Sequence, residues 1–101
     1  RNAENLSALE IEGVVYTHPK VADVAVIGVP DPRTGERACA VVVLAEGEDS
    51  LTLVEVVEHC RSHELANQKI PERLEIIDEL PRNPMGKILK QELRKQFSTP
   101  A

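Results

Sequence analysis

Aromatic side chains are nearly absent from this chain: one Tyr, one Phe and no Trp among 101 residues. Such a chain offers no platform on which nucleic-acid bases stack. It also lacks a basic excess. Twelve Lys and Arg stand against 17 Asp and Glu, a net charge of -5, so no basic face answers a phosphate backbone. No apolar run reaches the length of a membrane span, and no secretory leader pattern opens the chain. It begins with Arg1 rather than Met, which reads as a piece excised from a longer protein. The two cysteines, Cys39 and Cys60, sit inside apolar patterns without C-x-x-C spacing. Buried, reduced thiols are expected, in keeping with a cytoplasmic compartment.

What is present is a globular composition, 42% hydrophobic and 29% charged, at a length that supports one domain with one core. Ser7 followed by Glu10 has capping-box spacing and predicts a helix from Ala8 to about His18, with Ile11, Val14 and Val15 on one face and Pro19 stopping it. VADVAVIGV at 21–29 is β-branched and apolar on both faces, which predicts a central strand. PDPRTGE at 30–36 is a loop, and ACAVVVLA at 38–45 is a second strand. The link between them is too short for a crossover helix, so they should pair antiparallel. Thr52 and Glu55 form a second capping box, and Leu53, Val56, Val57 and Cys60 follow at i, i+3, i+4 and i+7 of an amphipathic helix. Leu74 and Ile76 alternate with Arg73 and Glu75 in a third strand with one polar face, and Leu89, Leu93 and Phe97 share a face of a last helix. The expected class is α+β, a small, mainly antiparallel three-stranded sheet covered by helices in the order α-β-β-α-β-α.

Candidate chemistry is sparse. In PRNPMGKILK at 81–90, Pro81 and Pro84 stiffen the backbone and Gly86 permits a positive φ just before Lys87. Two readings stay open. Lys87 is either a solvated lysine beginning a helix or an ammonium held out to an anion; a cation at a helix start opposes the dipole, which slightly favours the second. A P-loop is rejected, because Pro81 occupies the earlier glycine position and Ile88 stands where Ser or Thr is needed. His59 and His63 lie one helical turn apart, but no further ligands have convincing spacing, so no metal site is expected and a solvated helix edge is favoured. Glu46, Glu48 and Asp49 read as a solvated turn, and Arg94 and Lys95 as complements to Glu92 and the helix C-terminus.

Taken together, RNAENLSALEIE, HPKVADVAVIGVPDPRTGE, LANQKIP and DELPRNPMGKILKQEL resemble the C-terminal domain of the acyl- and aryl-CoA synthetase family. These are the adenylate-forming enzymes, which also include firefly luciferase and nonribosomal peptide adenylation domains. The likeness runs from Arg1 to about Phe97. It implies that residues 1–101 are the mobile C-terminal lid of an acid-CoA ligase, which closes in two orientations over its own N-terminal domain, absent here. That enzyme would use ATP with Mg2+ and CoA as co-substrates, none of them tightly bound to this domain, to turn a fatty or alicyclic acid into an acyl-adenylate and then a thioester. No nucleic-acid partner is implied. Lys87 matches the catalytic lysine, with Gly86 and Pro84 supporting its loop. RNAEN matches a loop usually written R-G-G-E-N that lines the CoA tunnel in the thioester-forming orientation. It carries Asn2 and Ala3 where glycines are usual, with Glu4 and Asn5 bracing. Asp31, Gly35 and Glu36 look structural, Asp31 as a turn acceptor. Lys69 matches a recurrent lysine of open role, and Lys90 stands where arginine is common. A free-standing α+β interaction module and the lid of an amino-acid adenylation domain remain the alternatives.

Overall fold

The computed structural model describes residues 2–31 and 35–97. The chain runs α1 (Asn2–Tyr16), β1 (Val21–Asp31), β2 (Gly35–Leu44), α2 (Leu53–Ser62), a single 3-10 turn (Asn67–Lys69), β3 (Arg73–Ile76) and α3 (Lys90–Gln96). This is the α+β class and element order expected from the patterning.

The sheet has the order β1-β2-β3. β1 and β2 pair antiparallel from Val21 opposite Leu44 to Asp31 opposite Gly35. β3 pairs parallel to β2, with Cys39 opposite Arg73. The parallel pairing follows from the connection: α2 carries the chain back along the sheet, as a strand-helix-strand crossover does. Alternate residues of each strand feed two cores. Val24, Val26, Ala40 and Val42 face α1 and α2 with Ile11, Val15, Val56 and Cys60. Ala25, Ile27, Val29, Cys39 and Val41 face α3 and its Leu93, joined by Leu80. Both cysteines are free and buried.

Three expectations are corrected and one is refined. β1 is an edge strand and β2 the central one. Apolarity on both faces reports that helices cover both faces of the sheet, which says nothing about hydrogen-bonded neighbours. The open edge of β1 is instead capped by side chains: the Val24 amide donates to Asp23 Oδ1 at 2.9 Å and the Val26 amide to Glu12 Oε2 at 2.7 Å, which blunts it against pairing with another chain. Second, Ser7 is not a helix cap, because α1 begins at Asn2. Ala3, Glu4, Leu6 and Ala8 are strong helix formers and carry the helix past it. Third, the one polar face read for β3 is present and is partly covered. Arg73 is buried; its Nε donates to Glu75 Oε2 at 2.7 Å, and its guanidinium lies 5.7 Å from the centroid of the Phe97 ring. The stacked cation extends the α3-side core to the sheet's far edge. Fourth, Lys87 does not begin a helix, since α3 starts at Lys90, so the conflict with the helix dipole does not arise.

The second capping box forms as read. The Glu55 amide donates to Thr52 Oγ1 at 3.2 Å and the Thr52 amide to Glu55 Oε1 at 2.9 Å. Lys20 adds an ion pair to Glu55 at 2.8 Å, and this pair, with the Thr52 amide, holds the Glu55 carboxyl down to about 2.

Candidate functional site

The lysine loop is a tight hairpin whose two legs are rooted in the α3-side core. Leu80 enters that core from one leg and Ile88 packs against it from the other. Arg82 and Ile88 bridge the legs in antiparallel fashion, and the Leu89 amide donates to the Pro81 carbonyl at 2.8 Å. At the tip, the Asn83 amide donates to the Lys87 carbonyl and the Gly86 amide to the Asn83 carbonyl, both at 2.9 Å. This is a three-residue hairpin loop in which Pro84 takes the turn position suited to its fixed φ, and a left-handed residue follows. That residue is Gly86, at φ +88°; any L side chain there would be strained.

Two residues missed by sequence reasoning organise the tip. Asn83 Oδ1 accepts from the Met85 amide at 2.9 Å and from the Lys87 amide at 3.0 Å. Arg82 Nη1 donates to the Gly86 carbonyl at 2.7 Å, while Nη2 pairs with Asp23 Oδ2 on β1. Asn in a turn is a readable signal for a side chain capping its own loop. The Arg82 pairing was not readable, because its partner lies 59 residues away.

The Lys87 side chain is exposed, and among the described residues its ammonium has no hydrogen-bonding or ion-pair partner. Other cations are engaged. Lys90 pairs with Glu12 Oε2 at 2.7 Å, the same oxygen that caps Val26 on the β1 edge. Lys69 pairs with Glu10 at 2.6 Å, tying the 3-10 turn to α1. Met85 at the hairpin tip is 91% exposed. The result is a stiff projection that ends in one apolar side chain and one cation with no partner among the described residues.

Asn2, Ala3, Glu4 and Asn5 have helical backbone at the start of α1 rather than forming a loop, and their side chains lie outside the described residues, as do those of Asp31 and Glu36. Gly35 has the positive φ, +90°, that a glycine supplies where the chain enters β2. His59 and His63 do come together, with ring centroids 4.4 Å apart, and His18 joins them at 4.9 Å from His59. His59 Nε2 lies 2.7 Å from Thr17 Oγ1 and 3.1 Å from the Val14 carbonyl; Thr17 Oγ1 itself donates to that carbonyl at 2.6 Å, an arrangement that suits a protonated Nε2. Burial, then the nearby His63 and His18, hold the His59 pKa below its ordinary value. Among the described residues no group of three His, Cys, Asp or Glu could hold a metal ion, and no helix is long and apolar enough to cross a membrane.

Comparison with known proteins agrees with this architecture. Residues 10–87 match the family model described as AMP-binding enzyme C-terminal domain. The chain is 44% identical over 97 residues to a medium-chain fatty-acid–CoA ligase of Escherichia coli, covering 96% of this chain and 17% of that protein. It is 39% identical over 99 residues to the vibriobactin-specific 2,3-dihydroxybenzoate-AMP ligase of Vibrio cholerae, covering 98% of this chain and 18% of that protein. Among solved structures, ATP-bound MatB from Rhodopseudomonas palustris superposes with a TM-score of 0.82 at 36% identity, over 90% of this chain and 18% of that one. The chain thus spans under a fifth of the length of these relatives. With its sheet and crossover inside the matched segment and Lys87 as the segment's last residue, it belongs to the AMP-binding enzyme C-terminal domain family, the C-terminal domain of adenylate-forming acid ligases.

Proposed function

We propose that this chain is the mobile lid of an ATP-dependent acid-CoA ligase and that Lys87 is its catalytic residue in the adenylation half-reaction. In that step a carboxylate oxygen attacks the α-phosphorus of ATP, which is bound with Mg2+, and pyrophosphate leaves. Two anions must be brought together, and charge shifts onto the phosphorus oxygens as the new bond forms. A fixed ammonium stabilises that arrangement in a closed, drier site. At an effective dielectric near 20, one charge pair at 4 Å is worth roughly 4 kcal/mol.

The observation that carries this reading is the contrast between loop and side chain. The hairpin is pinned at both legs and at its tip, yet the Lys87 ammonium is exposed and has no partner among the described residues. A lysine serving only stability would be expected to have a partner, as Lys20, Lys69 and Lys90 do. The fatty-acid–CoA ligase relative supports a fatty acid as substrate and CoA as acceptor. In the second half-reaction the first turn of α1, from Asn2 to Asn5, would face the pantetheine arm. A cytoplasmic location accompanies this reading.

The test is made in the full-length enzyme. Lys87→Ala should slow acid-dependent pyrophosphate release on the order of a thousandfold and leave the melting temperature unchanged. A free-standing interaction module predicts equal rates. Supplying CoA or a carrier-protein thiol as acceptor separates this reading from an amino-acid adenylation lid.

A further inference from the structure

We infer that Arg82, held by Asp23, is a positioning residue that sets the direction in which Lys87 leaves the loop; this rests on the catalytic reading of Lys87. The inference starts from one peptide unit, the bond between Gly86 and Lys87. Its carbonyl accepts from Arg82 Nη1 at 2.7 Å, and its N–H donates to Asn83 Oδ1 at 3.0 Å. Both ends of the plane are therefore held by side chains. Gly86 has the loosest backbone in the loop and sits at φ +88°, so without the two holds this plane is the one most free to rotate. Rotating it swings the Lys87 side chain.

The two holds differ in what they refer to. Asn83 belongs to the hairpin and moves with it. Arg82 places one guanidinium nitrogen on the Gly86 carbonyl and the other on Asp23 Oδ2, in β1. Its planar fork thus fixes the tip against the sheet, which a lysine, as a point charge, does not do. Asp23 lies where the β1 register shifts between Val21 and Asp23, and its other oxygen caps the Val24 amide. The carboxylate is consequently fixed as well. Arg82 and Asp23 are both partly exposed, and an ion pair of that kind contributes little to stability. Its consequence is expected in geometry, and misplacing a reacting group by about 1 Å costs on the order of a hundredfold in rate.

The experiment uses the full-length enzyme and follows two half-reactions separately: pyrophosphate release with acid and ATP, and thioester formation from supplied acyl-adenylate. Asp23→Asn is chosen because its amide oxygen still accepts from Val24. Arg82→Ala and Asp23→Asn should each lower kcat for adenylation about 10- to 100-fold, with KM for acid and ATP little changed and the thioester step intact. The double variant should be no slower than the slower single variant, because the two act through one contact. Arg82→Lys should fall between wild type and Arg82→Ala. Lys69→Ala, which breaks an ion pair elsewhere, should leave both steps unchanged, and the melting temperature of each variant reports folding. Additive losses, equal loss of both half-reactions, or wild-type adenylation in Arg82→Ala while Lys87→Ala is inactive would overturn the inference. Full adenylation in Lys87→Ala would instead remove the proposed function, and this inference with it.

Discussion

The face of the sheet under α1 and α2 and the face under α3 are built differently. Among the described residues, the first joins thirteen buried apolar residues from two helices, two strands and the segments around α2. Its polar groups are consumed in capping and bracing: Thr52 with Glu55, Lys20 with Glu55, Lys69 with Glu10. The second has seven buried apolar residues, a stacked arginine at its margin and a helix only seven residues long. The thinner face carries the lysine hairpin. The difference teaches that the thick layer makes the domain fold, while the thin one needs only enough core to root two loop legs and aim what lies between them.

The largest effect that would sharpen this contrast is a cavity on the thin side. Leu93 is fully buried and is the only buried residue of α3. Leu93→Ala should cost about 2–5 kcal/mol. Hydrogen exchange should show the amides of residues 83–89 losing protection along with α3. On the thick side, Val56→Ala removes two carbon groups, about 2 kcal/mol, and many neighbours remain to hold α1 and α2. It should lower global stability and leave hairpin protection ranked as before. If Val56→Ala loosened the hairpin as much as Leu93→Ala, the two faces would be one cooperative unit and the contrast would fail.

Glycines give the next test, because the same substitution should have opposite signs on the two sides. An added Cβ meets nothing within 4 Å at either Gly13 or Gly86, but Gly86 sits at φ +88°. Gly86→Ala should cost about 1–2 kcal/mol in backbone strain and slow adenylation with it. Gly13 lies inside α1, where Gly13→Ala should stabilise by about 0.5–1 kcal/mol. Thermal unfolding of both variants distinguishes the signs directly.

These comparisons also separate what the sequence made readable from what it did not. The helices, the antiparallel pair, the Thr52 cap and the lysine loop were readable because each rests on spacing within ten or so residues. The role of β1 as an edge was not, because hydrogen-bonded neighbours depend on where β3 returns after α2. Arg73 beneath Phe97, and Arg82 on Asp23, join residues 24 and 59 apart along the chain, and nothing local announces either. The misread Ser7 cap has a different cause. Two capping boxes had the same spacing, but only Thr52 follows a polar break; Ser7 follows residues that already favour helix. Lys87 itself was found from motif and resemblance, whereas the clamps that aim it came only from the folded geometry.

A smaller effect tests the caps. Thr52→Ala should cost about 1 kcal/mol, a fall of roughly 4–8 °C in Tm for a domain of this size, with no change in the lysine hairpin's exchange.

The smallest expected effect is at acid pH, where the two shifted groups, His59 and Glu55, both belong to the thick side. His59 has its pKa held below the ordinary 6.5 by burial first, then by His63 and His18. The unfolded chain therefore binds a proton at His59 more readily than the folded one does, so stability is full above about pH 6.5 and falls as pH drops through the lowered folded value. The Glu55 carboxyl, held at about 2 against an ordinary 4.5, contributes in a second, lower window: its contribution is complete above pH 4.5 and disappears as pH falls toward 2. Both groups lose stability with acid, in separable ranges. Replacing His59 with Gln should flatten the Tm profile between pH 7.5 and about 5.5 and leave the fall below pH 4.5 in place; Glu55→Gln should do the reverse. A profile that His59→Gln leaves unchanged would mean that the imidazole cluster is solvated enough to titrate alike in both states. The α1–α2 junction would then be less tightly closed than the three clustered rings imply.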